Sequence, residues 1–414
     1  MQDLTRAMRR RRLYRRRRIV VFSGLAIFLL LAAYVLGTQV ASAPTSTLSL
    51  VKQTTLTQPA AQLAWPAQGS AAVSAVGYRG TLAVNGSNAS VPIASITKTI
   101  TALVVLDAKP LKTAKDAGPK ITFTDADVKI FDEVVAMGGS WATVKAGSTM
   151  TERQALEAML LPSANNYAIS LAIWAYGSVD KYVSAANVWL ASHKLTSTHV
   201  ADASGYSEKS VSNPTDLVEI AKLVMANPAL PSIVATKKAT LPGAGDETNR
   251  NSLLGTLGVD GIKTGNTSFA GYCLMFSSTL TLSTHTVHIV GVVIGQRSGS
   301  DLFAASKALV KSIRAGFHEV QLTRAGQTFG SYTTRWGTKV PLVARKNTSM
   351  LVWSNTPVGV KLSAQPVRAA GAGDAVGAAV FSMGSTTVKQ PLTLQHDLAG
   401  PDMWWRLTHP SELG

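Results

Sequence analysis

Three short stretches hold side chains that together could support nucleophilic chemistry on a serine. In "PIASITKTITAL", Ser95 precedes Lys98 by three residues. "LPSANN" presents Ser163 and Asn165, and "GIKTGNTSFAGY" presents Lys263, Thr264 and Gly265. A serine hydroxyl is a poor nucleophile at neutral pH and needs a base beside it. A lysine amine is that base only when neutral, and burial or a nearby cation lowers its pKa. Placed i and i+3 on a helix, Ser95 and Lys98 share one face. The helix N-terminus also favours negative charge developing nearby.

Each stretch has an ordinary reading as well. Ser95 could cap a helix while Lys98 lays its stem over apolar surface. Ser163–Asn165 could be a polar turn after Pro162. Lys263 could be a solvated edge-strand lysine before a turn glycine. The serine–lysine spacing recurs at Ser49…Lys52 and Ser178…Lys181, so it discriminates only by context. Ser163-x-Asn165 and Lys263-Thr264-Gly265 occur once each.

The elements that must position these residues are legible in outline. "AAVSAVGYRGTLAVNG" reads as two strands around a turn. Ser95–Asp107 reads as an apolar helix. "TERQALEAMLLPSANNYAISLAIWAYG" reads as two helices broken near Leu161–Pro162, and "PTDLVEIAKLVMAN" as an amphipathic helix with Asp216 and Glu219 near its start. "GIKTGNTSFAGYCLMFSSTLTLSTHTVHIVGVVIG" reads as strands joined by a polar turn near Ser283–His285. "SDLFAASKALVKSIRAGF" is expected to be a helix capped by Ser300. Strands at both ends with helices between predict an α+β domain over 71–317, its sheet assembled from remote segments. From His318 to about 408, short apolar runs between Gly, Asn and Ser turns predict a small all-β sandwich domain.

The chain has 414 residues, a hydrophobic fraction of 46% and a formal net charge of +17. The charge is concentrated in residues 1–18, "MQDLTRAMRRRRLYRRRR", which carry many arginines against a single acid, Asp3. The uncharged run Ile19–Val40 that follows is long enough to cross a bilayer core of about 30 Å. A basic flank on one side only predicts a cytoplasmic tail over 1–18, a transmembrane anchor over 19–40 and everything later outside the plasma membrane. The arginines are read as a topology signal, and no nucleic-acid partner is expected. Cleavage near Ala43, releasing a secreted protein, is the competing reading. Residues 41–70, rich in Ser, Thr, Ala, Gln and Pro, read as an extended stalk. Cys273 is the one cysteine and is expected in the core. The seven histidines are scattered, and neither metal nor organic cofactor is expected.

The three motifs in this order are the signature shared by β-lactamases and penicillin-binding proteins. Residues 71–317 resemble the low-molecular-mass penicillin-binding proteins of the serine D-Ala-D-Ala carboxypeptidase family. The likeness extends to "HVADASGYSEKSVSNPTDLVEIAKLV", to "NRNSLLGTLGVDGIKTGNTSFAGYC" and, in the tail, to "WWRL". The resemblance implies a β-lactamase/transpeptidase-like domain with an antiparallel sheet flanked by helices. It implies Ser95 as acyl-ester nucleophile, Lys98 as general base and Lys263 as the cation that helps lower its pKa. It further implies Ser163 as proton shuttle and Asn165 as the group holding Lys98 and the substrate backbone. Lys263 and Thr264 would bind the terminal carboxylate, Gly265 would leave room for the peptide, and the backbone N–H groups of Ser95 and Asn266 would form the oxyanion hole. The implied substrates are peptidoglycan stem peptides ending in D-Ala-D-Ala, with β-lactam antibiotics as acylating inhibitors.

Two departures stand out. Ala164 occupies a position usually held by Gly or Asp, and the chain stops at "HPSELG" where several relatives end in an amphipathic membrane helix. A D,D-endopeptidase or transpeptidase shares every motif. A β-lactamase is disfavoured, because no E-x-x-L-N stretch lies between Asn165 and Lys263. A lipase-type hydrolase lacks its G-x-S-x-G here. A catalytically inactive wall-binding scaffold has no need of the intact Ser95, Lys98, Ser163, Asn165 and Lys263.

Overall fold

The computed structural model describes residues 2–282, 285–384 and 386–414. The chain forms two compact units, one of residues Ala60–Phe317 and one built from Met1–Pro59 together with His318–Gly414.

The first unit is organised on a five-stranded antiparallel sheet. Its spatial order is Val259–Thr267, Gly271–Leu282, His285–Gln296, Ser70–Ala75 and Ala83–Asn85. In the centre, Met275 faces Val292 on one side and Lys263 on the other. The polar turn expected near Ser283–His285 falls on residues 283 and 284, outside the described residues.

Helix Thr97–Ala108 is buried from Thr97 to Leu106. Apart from Lys98 it carries no charge before Asp107, and a helix without a polar face must be surrounded. It packs among Asn165–Tyr176, Val179–Ser192 and Pro214–Ala226. Ile100, Val104 and Val105 lose all contact with water, each contributing about 1.5–3 kcal/mol of transfer free energy. Its polar side chains are satisfied within the core: the Thr101 hydroxyl donates to the Ala203 carbonyl at 2.7 Å and lies 2.8 Å from the Tyr182 hydroxyl.

The break after Glu152–Leu160 comes where Pro162 cannot continue the hydrogen-bond ladder. Helix Pro214–Ala226 starts on Asn213, whose Oδ1 accepts from the Asp216 amide at 2.7 Å. One expectation about caps is corrected. Helix Gly299–Ile313 is capped by Ser298, not Ser300: Ser298 has the extended backbone a cap needs and accepts from the Asp301 amide at 3.1 Å. Ser300 is already inside the first turn and pairs with the Ser298 hydroxyl instead. Ser178, one of the accidental serine–lysine matches, is a capping serine for Val179–Ser192.

The second unit is centred on a six-stranded antiparallel sheet ordered Thr47–Leu50, Thr328–Thr333, Lys339–Ala344, Thr386–Leu394, Ala375–Met383 and Gly359–Ala364. The strand Thr47–Leu50 lies in the segment read as a stalk, and that reading is corrected. Thr47 pairs with Thr333 and Leu50 with Gly330, and Leu56 bridges Val358. The "TLSL" alternation supplies a strand to an edge that would otherwise expose a row of unpaired backbone groups. Gly330 permits the approach, since a Cβ there would meet the Ser49 carbonyl oxygen at 2.5 Å.

The same unit contains the N-terminal helix Gln2–Val40, continuous through the basic tail and the apolar run. Its segment Arg9–Val40 is long and apolar enough to cross a membrane.

Candidate active site

Ser95 sits in the 3₁₀ turn Ala94–Ile96 that leads into helix Thr97–Ala108. The capping positions are Ile93 for the turn and Ile96 for the helix, so Ser95 caps neither. It lies 2.8 Å from Lys98 Nζ, which also donates to Asn165 Oδ1 at 2.7 Å and to the Ser204 carbonyl at 2.8 Å. Three oxygens use all three donors of an ammonium. A neutral amine has two donors and one lone pair, and that lone pair can receive the Ser95 proton. Lys98 is fully buried, and its pKa is pulled down to about 7. Burial is the main cause; Asp202 opposes the shift and Arg250 adds to it.

Asp202 organises the loop that supplies the Ser204 carbonyl. One carboxylate oxygen accepts from the Gly205 amide at 3.1 Å and the Ser210 hydroxyl at 2.6 Å. The other accepts from the Ser204 hydroxyl at 2.8 Å and the Tyr206 amide at 2.9 Å. Asp202→Asn removes the negative charge that holds the Lys98 pKa up. The acid limb of the acylation rate is expected to move to lower pH, with a lower plateau because the loop loses two acceptor bonds. Stopped-flow acylation by a chromogenic β-lactam across pH 5–9 reads both, and an acid limb displaced upward contradicts the charge argument.

Ser163 lines the same cleft as Ser95. Its φ is +67°, unusual for a residue with a side chain. The Ser163 Oγ is buried and has no hydrogen-bond partner among the described residues. A buried hydroxyl without a partner is costly, and at a cleft wall its natural partner is a bound molecule. Ala164 is fully buried and precedes helix Asn165–Tyr176.

The strand Val259–Thr267 supplies a further part of the lining. Thr264, Gly265 and Asn266 line the cleft with Ser95, Ser163, Tyr272 and Arg250. Gly265 packs directly on the serine turn: a Cβ there would meet the Ser95 amide nitrogen at 2.9 Å and the Ile96 amide nitrogen at 3.1 Å. The room that Gly265 makes is therefore taken by the enzyme's own backbone, where the sequence reading reserved it for the peptide.

Lys263 is 2% exposed and donates to the Thr264 carbonyl at 2.9 Å. Its pKa is held well below the usual lysine value by burial first, then by Lys98 and Arg250. Arg250, which the sequence reading gave no role, lines the cleft and adds its charge to that of Lys263 near Lys98. Its backbone amide donates to the Leu161 carbonyl at 3.2 Å and its Nη1 to the Ser140 hydroxyl at 2.9 Å. It stands alone among polar residues in "NRNSLLG", and its only signal was a charge beside an apolar turn. Cys273 is fully buried, with its thiol pushed up to about 11 by burial, and pairs across the sheet with Gly265.

Fold and site together define a class: an α+β transpeptidase-like unit with a serine–lysine pair beneath a Lys-Thr-Gly strand. A family model for D-alanyl-D-alanine carboxypeptidases, peptidase family S11, matches residues 77–298, and the chain belongs to that family. It is 29% identical over 248 residues to the D-alanyl-D-alanine carboxypeptidase DacA of Escherichia coli K12, a match covering 59% of this chain and 60% of DacA. It is 30% identical over 200 residues to a D-alanyl-D-alanine endopeptidase of Pseudomonas aeruginosa, covering 47% of this chain and 61% of that one. Among solved structures, penicillin-binding protein 5 of Haemophilus influenzae superposes with a TM-score of 0.56 at 20% identity, over 83% of this chain and 99% of that one. That likeness extends the shared fold to the C-terminal β domain.

Proposed function

We propose that this protein is a serine-type D-Ala-D-Ala carboxypeptidase that trims the terminal D-alanine from peptidoglycan stem peptides. The observation that carries the reading is the 2.8 Å contact between Ser95 and a fully buried Lys98 whose pKa is brought to about 7. Such an amine is neutral in a large fraction of molecules at physiological pH, which is what a general base needs.

In the proposed cycle, Ser95 Oγ attacks the carbonyl carbon of the scissile amide while its proton passes to Lys98 Nζ. The carbonyl oxygen becomes an oxyanion and is met by the backbone N–H groups of Ser95 and Asn266. As the tetrahedral intermediate collapses, the C–N bond breaks and the leaving amine of D-alanine takes a proton through Ser163. Water then attacks the acyl ester, and its proton returns through Lys98. Asn165 holds Lys98 in place. Thr264 and Arg250 receive the terminal carboxylate, with Lys263 behind them as an internal cation. An arginine suits a carboxylate because its two parallel N–H groups match the two oxygens.

β-Lactams would enter the same cleft and acylate Ser95. Intact-protein mass spectrometry after brief exposure to benzylpenicillin tests this. The wild type is expected to gain the mass of one penicillin stably, and Ser95→Ala to gain nothing. Hydrolysed drug without an adduct would favour a β-lactamase, and intact drug without an adduct a binding scaffold. Muropeptide digestion would then separate carboxypeptidase from endopeptidase action.

We further propose that the protein stays anchored by its N-terminal helix, arginines inside, with the catalytic unit outside the plasma membrane. The residues beside the alternative cleavage point support this, because they are used by the fold. Ala43 is buried, the Ser42 carbonyl accepts from the Gly414 amide, and Ser46 bonds through its amide and hydroxyl to the Val367 carbonyl.

A further inference from the structure

The short α-helix Met403–Thr408 is held against the C-terminal end of the helix Gln2–Val40. The Arg406 guanidinium donates from Nη1 to the carbonyls of Thr38 at 3.1 Å, Gln39 at 3.3 Å and Ala41 at 2.7 Å. The Tyr34 hydroxyl donates to the Leu407 carbonyl at 2.6 Å. The final carbonyls of a helix lack partners within it, and the negative end of its dipole favours a cation. Near a bilayer those carbonyls have little water to turn to. Arg406 supplies both the donors and the charge.

The two tryptophans of this helix point to different fates. Trp405 is stacked on His409, ring centroids 4.7 Å apart, and meets Trp336 edge-on at 5.6 Å. Trp404 is 72% exposed and Met403 58% exposed. These apolar side chains sit where the apolar run ends. Counted from Ile19 at about 1.5 Å per residue, a hydrocarbon core of about 30 Å ends close to Thr38, the residue Arg406 touches. Tryptophan is enriched at that level, where an amphipathic ring meets headgroups.

We propose that Met403–Thr408 is a lipid-interface collar: Arg406 caps the membrane helix, and Met403 and Trp404 seat in the phospholipid headgroup layer of the outer leaflet. This rests on the anchored reading given above. It makes the β domain a body fixed to its anchor at the membrane surface. The strand Thr47–Leu50 and the Arg406 cap grip the chain on both sides of residues 41–46.

The test uses the full chain in phosphatidylcholine–phosphatidylglycerol vesicles. Trp404→Cys is labelled with an environment-sensitive fluorophore, Cys273 being fully buried and unreactive. The probe is expected to lose about half of its fluorescence when the lipids carry a nitroxide near the headgroup, and to be shielded from aqueous iodide. Open access to iodide without nitroxide quenching overturns the collar. The same fluorophore at Leu30→Cys reports the anchor itself, quenched by nitroxides deep in the acyl chains. Quenching at 30 but not at 404 overturns the collar alone, and quenching at neither overturns the anchored reading and the collar with it. Arg406→Gln is expected to reduce the quenching at 404, and unchanged quenching overturns the capping role.

Discussion

Lys98→Met is expected to slow acylation by benzylpenicillin about 10³-fold, the scale on which a positioned general base acts. Ser95 then has no proton acceptor, although its position in the turn is set by backbone packing. The pH profile provides the sharper reading. In the wild type, Lys98 protonates as the pH falls through about 7. Acylation should therefore fall about tenfold per unit below that point, and the variant should lack this limb. The same substitution has a signature in stability. Lys98 binds its proton at ordinary lysine pH when unfolded but only near pH 7 when folded. Between those values the unfolded chain carries the extra proton, so wild-type stability is lost as pH falls through this window and is regained above it. Relative to Lys98→Met, the wild type should gain about 1.4 kcal/mol per pH unit from pH 7 upward. Urea titrations of both proteins at pH 7, 8 and 9 measure this, and parallel stability curves would remove burial as the cause of the low pKa.

Gly265→Ala is expected to cost about 1–3 kcal/mol of stability and about 100-fold in acylation. A Cβ at this position has no flexible neighbour to push aside. It meets the amide nitrogens of Ser95 and Ile96, and Ala94 Cβ stands at 3.2 Å. Either the strand or the serine turn must retreat, and the proposed oxyanion donors belong one to each. Because both donors then lose their common geometry, the loss should fall on kcat for a peptide ester more than on KM. A variant that acylates at the wild-type rate would show that the contact between strand and turn does not set the geometry. Melting temperature, read in parallel, separates a displaced strand from an unfolded protein.

The residues that sequence reading found and those it missed differ in a physical way. Ser95 and Lys98 were legible because their relation is local: three residues apart on a helix, in an apolar setting that makes an embedded amine conspicuous. Helix Asn165–Tyr176 and the long strands Gly271–Leu282 and His285–Gln296 were legible through length and pattern. Arg250 was not, because its position depends on contacts with Ser140 and Leu161, which no short-range pattern encodes. Asp202 was missed for a related reason, since an acidic residue in a Gly- and Ser-rich loop looks like any turn former until its acceptor bonds are traced. Lys263 was legible as part of Lys-Thr-Gly, but its burial and its bond to the Thr264 carbonyl were not, because both follow from how the strand packs. The supposed stalk failed differently. A four-residue alternation such as TLSL is too short to stand out, and it becomes a strand because Thr328–Thr333 offers an open edge from a remote part of the chain.

That pairing sets an order of events during synthesis. Thr47–Leu50 leaves the ribosome early, and its partner follows only after the whole of Ala60–Phe317 has been made. At about 5–20 residues per second the early strand waits on the order of tens of seconds. Through that interval the nascent chain is still adding the unit Ala60–Phe317 and has no means of closing its second sheet. A chain lacking Met403–Thr408 would keep its serine, its lysine and its cleft while losing the Arg406 clasp on the carbonyls of Thr38, Gln39 and Ala41.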